Sequence, residues 1–393
     1  MRPQTTRCEA TTTPHTPTLF LSIELSGKSW LMASRDGQAE TVRHKTISVA
    51  DLPALLREVR DAKSKFGLPP DARVLSCYEA GRDGFWLHRF LLENGIENLV
   101  LDASSLQVDR RMRRAKTDRL DASSLVAALI RFHRGETEAC RPVFVPSPEA
   151  EDARRGSRER DRMKHEENGH RCRIAALLAL VGVVLDTLAE HATFTKMRTP
   201  DGNALPPNLV LELEREQTRL RLVCEQRREL EKSQRLAIKA VVDQSQKDGK
   251  QRPANPLVVK VVSLMALVGV GQRSAWKLVH EFFYKEFANR RQVGSAAGMV
   301  NAPYASGGEE RDQGITKAGN RRVRGLMIEL AWAWLRLQPE SALTLWFHRR
   351  FGQGKRTRKV GIVALGRRLL IALWRYLEQG VVPDGARLKS SPA

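Results

Sequence analysis

Asp118 and Asp121 stand three residues apart at the start of an apolar helical pattern, directly behind Arg113, Arg114 and Lys116 and with Arg119 between them. At that spacing both carboxylates project from one face of a helix's first turn. Thr117 or Asp118 followed by an acid three residues on is equally an ordinary capping arrangement, so the pair alone does not decide its role. Two further acids, Glu24 and Glu79, end the strand-like runs SIEL and SCYEA, the position from which an α/β layer presents side chains to a ligand crevice. Carboxylates converging from two strands and a helix start repel one another unless a divalent cation lies between them. Mg²⁺, or Mn²⁺ in its place, takes such hard oxygen donors. A pair of ions ~4 Å apart stabilises the attacking and leaving oxygens of a phosphodiester displacement. The adjacent cations would hold the phosphates on which such a site works.

Other segments could carry chemistry farther along the chain. LMALVGVGQRSAWKLV sets Gly269 and Gly271 between apolar helical runs, the form of a helix-hairpin-helix whose backbone N–H groups hold a phosphate, or equally of a tight helix connection with no ligand. YASGGEERDQGITKAGN places Ser306 before two glycines that would let backbone or substrate come close, and a serine in such a turn is by itself far more often structural than catalytic. Lys317, Arg321, Arg322 and Arg324 follow. Between Ser341 and Leu377 the chain carries Arg349, Arg350, Lys355, Arg356, Arg358, Lys359, Arg367 and Arg368 without one acid. Charges of one sign repel when nothing neutralises them, which favours a nucleic-acid surface over a merely solvated face. Trp332, Trp334, Trp346 and Trp374 recur at helical spacing and read mainly as core.

The elements that must position these groups follow from pattern and punctuation. TLFLSIEL and SWLMAS, parted by Ser26 and Gly27, read as a β-hairpin. RVLSCYEA and NLVLDA read as further strands between helical patterns, giving a mixed α/β layer. The polar stretch from Glu149 to His170 reads as a solvated helix or a linker. After Pro207, Leu209, Leu213, Leu220, Val223, Leu230, Ala237 and Val241 fall on an alternating four-and-three spacing, the seam of a coiled coil or of a helix packed within its own domain. Glu216, Arg227 and Gln234 interrupt it. The expected division is a flexible tail at 1–17, an α/β domain at 18–165, a helical connector at 166–256, a helical C-terminal domain at 257–380 and a second tail at 381–393.

Composition limits the partners. In 393 residues, 66 Lys and Arg against 45 Asp and Glu give a net charge of +21 and a pI near 10.3, which suits a polyanion, most simply DNA or RNA, though ribosomes or anionic lipid would also fit. No apolar run reaches membrane-spanning length, and LLALVGVVL reads as core. Five scattered cysteines form no C-x-x-C pair, which with the absence of a signal-peptide pattern points to a reducing cytoplasm.

Taken together, SIELS, YEAG and RRAKTDRLDA in that order resemble the RuvC-like (RNase H-like) N-terminal half of the insertion-sequence 110 transposases, the DEDD transposases. The segment from Leu264 to Arg324 is similar to that family's second domain. The resemblance implies a bacterial DNA recombinase that acts as a multimer, a dimer or tetramer, working at the nucleoid. It places a metal-binding tetrad on Glu24, Glu79, Asp118 and Asp121, and a nucleophilic serine, which would form a covalent phosphoserine with DNA, on Ser306. The tetrad, brought across the domain gap or from a second subunit, would activate that serine. It also implies a noncoding guide RNA from the element's own end. Glu24 departs from the family's usual Asp at the first position. Two rival expectations remain, a structure-selective nuclease without serine chemistry and an inactive nucleic-acid-binding relative.

Overall fold

The computed structural model describes residues 16–38, 41–82, 84–106, 118–185, 189–246, 255–306, 309–352 and 354–389. The chain divides into two compact units, Met1–Val145 and Pro146–Ala393.

In the first unit the expected apolar runs form strands β1 (Thr18–Leu25), β2 (Ser29–Arg35), β4 (Arg73–Glu79) and β5 (Glu97–Leu101), and Arg43–Ser48 adds β3. They make one mixed sheet in the order β3-β2-β1-β4-β5, in which β1, β4 and β5 pair parallel and β2 pairs antiparallel with both β1 and β3. Alternation along β1 sends Leu19, Leu21 and Ile23 to one face, where they meet Leu55 and Val59 of α1 (Leu52–Lys65) and Leu87 and Leu91 of α2 (Trp86–Glu93). Phe20 on the other face joins Leu75 and Cys77 of β4 under Ala122, Leu125, Val126 and Leu129 of α3 (Asp118–His133). The Asp51 carboxylate caps α1 by accepting from the Ala54 amide. The sequence reading missed β3 because RHKTIS is an edge strand with Ile47 as its buried residue, so alternation is weak and charge dominates.

Among its described residues the second unit is mainly helical and has one two-stranded hairpin. It begins with α4 (Pro148–Ala153), α5 (Arg155–Ala179) and α6 (Pro207–Gln246). Next come α7 (Pro256–Met265) and α8 (Gln272–Leu278), which continues into a π-helical turn at Val279–Phe283, and α9 (Arg290–Ala296). Strands β6 (Asn301–Ser306) and β7 (Glu309–Ile315) pair antiparallel, a sheet within a region expected to be wholly helical. Helices α10 (Arg321–Leu337), α11 (Ala342–Phe351) and α12 (Lys355–Gln379) close the unit around Val323, Met327, Trp334, Leu369 and Leu373. No helix among the described residues is long and apolar enough to cross a membrane.

The polar stretch after Glu149 is helix, and α5 lies antiparallel on α6 in a hairpin. Ile174 and Leu178 meet Leu213 and Leu220 at one end, while Arg160 meets Glu231 toward the other. Its middle is ionic. Arg227 Nε donates to Glu167 Oε2 at 2.9 Å, Arg171 to Glu190 at 2.7 Å, and His170 Nδ1 lies 2.6 Å from Glu216 Oε2. Glu167, Glu190, Glu216, Glu231 and Gln234 are all buried. The polar interruptions of the expected seam are therefore the seam itself along this stretch. Because such groups can be buried only when paired, the repeat read from apolar residues alone lost its register after Val223, and Ile238 is buried in place of Ala237.

Three boundaries differ from expectation. Residue 165 falls inside α5, and the units divide after Val145, because the polar run is one half of a hairpin and not a junction. The connector does not end at 256 as a separate body, since Ile238, Val241 and Val242 of α6 pack into the C-terminal core. Nor is the segment after 380 a free tail through residue 389. The Val268 amide donates to the Arg387 carbonyl at 3.1 Å, the Lys389 amide to Ala266 at 2.8 Å and the Ala342 amide to Asp384 at 3.0 Å. Gln338, 1% exposed, clamps that segment by donating to the carbonyls of Val268 and Arg387 and accepting from the Arg387 amide. The tail expected at 1–17 lies almost wholly outside the described residues.

Candidate active site

Ser22, in the middle of β1, fixes the geometry. Its hydroxyl donates to the Ala122 carbonyl of α3 at 2.6 Å, the Cys77 thiol lies 3.8 Å from the Leu125 carbonyl, and the rings of Phe20 and His133 are 5.3 Å apart. Helix α3 therefore runs antiparallel to β1, with its first turn at the C-terminal ends of β1 and β4. A strand rise of ~3.3 Å per residue carries Glu24 roughly 6.6 Å beyond Ser22. A helical rise of ~1.5 Å carries Asp118 about 6 Å beyond Ala122, to the same level. Glu79 lies beside Glu24, one step past the Ile23–Tyr78 pair, and both share the face of Ser22 and Cys77. The fold thus brings Glu24, Glu79, Asp118 and Asp121 to one end of one face of the sheet. Glu24, Glu79 and Asp121 are half-buried and Asp118 is exposed.

Hard carboxylate oxygens are the donors that Mg²⁺ or Mn²⁺ prefers, so the donor set suits the ion. Among the described residues, however, no three His, Cys, Asp or Glu side chains are close enough to hold a metal ion. The backbone places the acids together at the sheet end; it does not close them into a coordination sphere. Arg119 is exposed on the same first turn, whereas Arg113, Arg114, Lys116 and the capping candidate Thr117 lie outside the described residues.

The sequence reading missed His44 on β3. Its Nε2 lies 2.9 Å from the Ser123 hydroxyl on α3. Burial, and then the Arg119 charge, hold its imidazole below the usual histidine range. Nothing in RHKTIS distinguishes that histidine from a surface residue, and only the strand pairing Ala33–His44 brings it over α3.

In the second unit Ser306 is the last residue of β6, paired in register with Glu309. The hairpin of α7 and α8 is present, with Gly269 at φ +90° against Leu337 and Gly271 as the N-cap of α8. Its turn is partly used internally, since the Val268 amide donates to Arg387 and the Val270 amide to Leu267. The basic residues divide by role. Arg324 donates to the carbonyls of Ala297 and Lys317, and Arg322 lies 3.2 Å from Asp161, so these two also brace the fold. Arg321 and Lys317 are exposed, and Lys317 has a left-handed backbone, φ +57°. Lys355 and Arg356 begin α12, Arg358 sits over the exposed Trp332 ring at 5.4 Å, and Lys359 lines a cavity. Trp334 is core as expected, and Trp332, 42% exposed, is not.

Comparison with known proteins adds an independent line. A family model described as transposase IS116/IS110/IS902 family matches residues 262–345. "Putative transposase y4rJ" of Sinorhizobium fredii is 40% identical over 382 residues, covering 95% of both chains. "Putative transposase y4qE" of the same organism is 28% identical over 317 residues, 80% of this chain and 71% of that one. The "Transposase for insertion sequence element IS1328" of Yersinia enterocolitica is 27% identical over 189 residues, 47% of this chain and 50% of its own. With the identity to the first of these running nearly end to end, the chain belongs to the IS116/IS110/IS902 family of insertion-sequence transposases.

Proposed function

We propose that the chain cuts and rejoins DNA strands with two sets of groups, an acidic tetrad on a RuvC-like first unit and Ser306 on the second. What supports this reading is that Glu24, Glu79, Asp118 and Asp121 lie toward one end of the sheet, at the ends of β1 and β4 and the start of α3. These four residues would hold Mg²⁺ or Mn²⁺, which when bound supplies Lewis-acid stabilisation to the phosphate oxygens. Ser306 Oγ forms a bond to a DNA phosphorus as the bond from that phosphorus to the leaving strand oxygen breaks. The serine proton passes to a base and the leaving oxygen takes up a proton. Attack on the phosphoserine by a hydroxyl of the other strand end reverses the sequence and restores Ser306. Arg119, Arg321, Lys317, Arg358 and Lys359 position the backbone. The net charge of +21 accommodates an element-encoded guide RNA beside the DNA, and the protein works as a multimer in the bacterial cytoplasm.

The test is cleavage of end-labelled element-junction DNA, with the flanking transcript and Mg²⁺, resolved on a denaturing protein gel for wild type and Ser306→Ala. A labelled protein adduct that needs both Ser306 and metal supports the proposal. Metal-dependent cleavage without an adduct sinks the serine step and favours a nuclease. Binding that persists in EDTA with no cleavage under Mg²⁺ or Mn²⁺ identifies an inactive relative.

A further inference from the structure

The second unit contains a cavity of about 1100 Å³ between the base of the β6–β7 hairpin and helices α9, α11 and α12. That exceeds the ~300–1,000 Å³ of sites for drug-sized ligands, so it has room for more than one small molecule. Its walls are cationic. Arg290 and Arg291 enter from α9, Arg350 from α11, and Lys359, Arg367 and Arg368 from α12, while no lining residue is acidic. An anion is the fitting occupant, and the series of cations calls for an anion with several charges.

The floor decides which polyanion. Trp346, Phe351, Val360 and Met299 line the same space, and Val360 is 61% exposed. A duplex presents phosphates and sugars outward and keeps its base faces stacked inside, so it would leave this apolar floor uncovered. An unpaired strand presents base faces that aromatic and apolar side chains stack against, with phosphates beside them. Arg368 completes the platform, its guanidinium carbon 4.0 Å from the Trp346 ring centroid, joining a cation and a π surface on which a base can stack.

Arg367 is held in the wall by its packing on α9. Its Nε is buried without a hydrogen-bond partner among the described residues, and it passes so close to α9 that a Cβ on Gly294 would lie 3.0 Å from that nitrogen. Burial of that edge against α9 fixes the guanidinium in the wall, and its Nη groups are the ones that would donate to a phosphate.

We propose that this cavity is a docking groove for an unpaired nucleic-acid strand, with bases on the Trp346, Phe351 and Val360 floor and phosphates on the arginine walls. The proposal rests on the reading that the second unit handles nucleic acid, and it adds which form of nucleic acid and where.

The test uses the full-length protein and fluorescein-labelled 12-residue oligonucleotides of one sequence, as single-stranded DNA, single-stranded RNA and duplex DNA, with affinity read by anisotropy. Trp346→Ala should weaken single strands by about fivefold or more and leave the duplex within about twofold, since stacking belongs to unpaired bases. Because Trp346 is half-buried and its loss could loosen α11, Val360→Glu at an exposed position is the companion. It sets a carboxylate in an acid-free groove and should produce the same selective loss with unchanged circular dichroism. Lys359→Gln should lower the slope of log affinity against log salt for single strands by roughly 0.7. The tighter of the two single strands identifies whether DNA or RNA is the occupant. Equal losses for duplex and single strand, or no loss in either floor variant, would overturn the groove while leaving the wider reading intact. Failure of every oligonucleotide to bind would instead remove the wider reading, and the groove with it.

Discussion

Ser22 and Ala122, a hundred residues apart in sequence, are joined by a 2.6 Å hydrogen bond in a fully buried position, and the bond ties β1 to α3 between Glu24 and Asp121. Removing it leaves the carbonyl its helical partners but deletes the tether that holds the level of the two acids. Ser22→Ala should cost about 1–2 kcal/mol in urea unfolding. It should also reduce strand cleavage at a temperature where the variant remains folded. Unchanged cleavage in the folded variant would show that the tether does not position the acids.

Glu24 carries one methylene more than an aspartate would at the same strand end. If its carboxylate serves the site, Glu24→Gln removes an anionic oxygen donor and should lower metal-dependent cleavage by about a hundredfold or more, whereas Glu24→Asp should retain or improve it. Cleavage that is indifferent to Glu24→Gln would take Glu24 out of the tetrad. Affinity for nucleic acid should survive both changes, because neither removes a cation.

The α5–α6 hairpin should be acid-sensitive. Burial works against the ionised forms of Glu167, Glu216 and Glu231, but their partners outweigh it: Lys164 and Arg227 for Glu167, His170 and Arg173 for Glu216, and Arg160, Arg273 and Arg227 for Glu231. All three sit below the usual glutamate range of ~4.3 in the folded chain. Their stabilisation is therefore fully present above that value and is lost as pH falls through the depressed folded values. Helicity followed by circular dichroism should fall below about pH 4.5. In Arg227→Met the fall should be shallower, because part of what acid removes is already gone.

At neutral pH the same Arg227→Met variant leaves Glu167 short of a partner at 3% side-chain exposure. Breaking one side of a buried pair costs about 3–5 kcal/mol. Arg227→Met with Glu167→Leu should recover part of that loss, since apolar side chains replace one costly pair while Glu231, which also accepts from Arg227, keeps Arg160 and Arg273. A double variant no more stable than the single would place the cost elsewhere.

Gln338 links the strap from Asp384 to Lys389 to the α7–α8 turn by three hydrogen bonds, two with Arg387 and one with Val268. Gln338→Ala takes the side-chain partner from the Val268 carbonyl and the Arg387 amide, while the Arg387 carbonyl keeps the Val268 amide, and should lower stability by about 1–3 kcal/mol, read as a lower Tm of the full chain. Truncation after Pro383 should lower it at least as far. An unchanged Tm in both would mean that the strap contributes nothing to the second unit.

What was legible in the sequence follows from how strongly each segment is tied to one period. The runs forming β1, β2, β4 and β5 are apolar on both faces or alternate cleanly, so they could be read directly, and Glu24 and Glu79 could be placed at their ends. Edge strand β3 buries too little for a pattern to show, and with it went His44, while the hairpin β6–β7 reads NAPYAS and EERDQGI, a proline and charges where alternation would be sought. The second half of α6 misled because its contacts are ionic, and pairing between Arg227, Glu167 and Glu231 leaves no mark in a hydrophobic repeat. Separation defeated the strap altogether, since Gln338 and Arg387 are linked across 49 residues with no shared motif.

The strap also sets an order of events during synthesis. The sheet and helices of the first unit involve residues up to Val145, so that unit can fold while the rest of the chain is still on the ribosome. The turn between α7 and α8 borrows its partners from residues 384–389, well over a hundred positions later. Basic helices of the second unit can therefore form and meet polyanions, the ribosome's own RNA among them, before the piece that locks their hairpin has emerged. Emergence of residues 384–389, more than translation of any one helix, is the moment at which that hairpin gains its last partners.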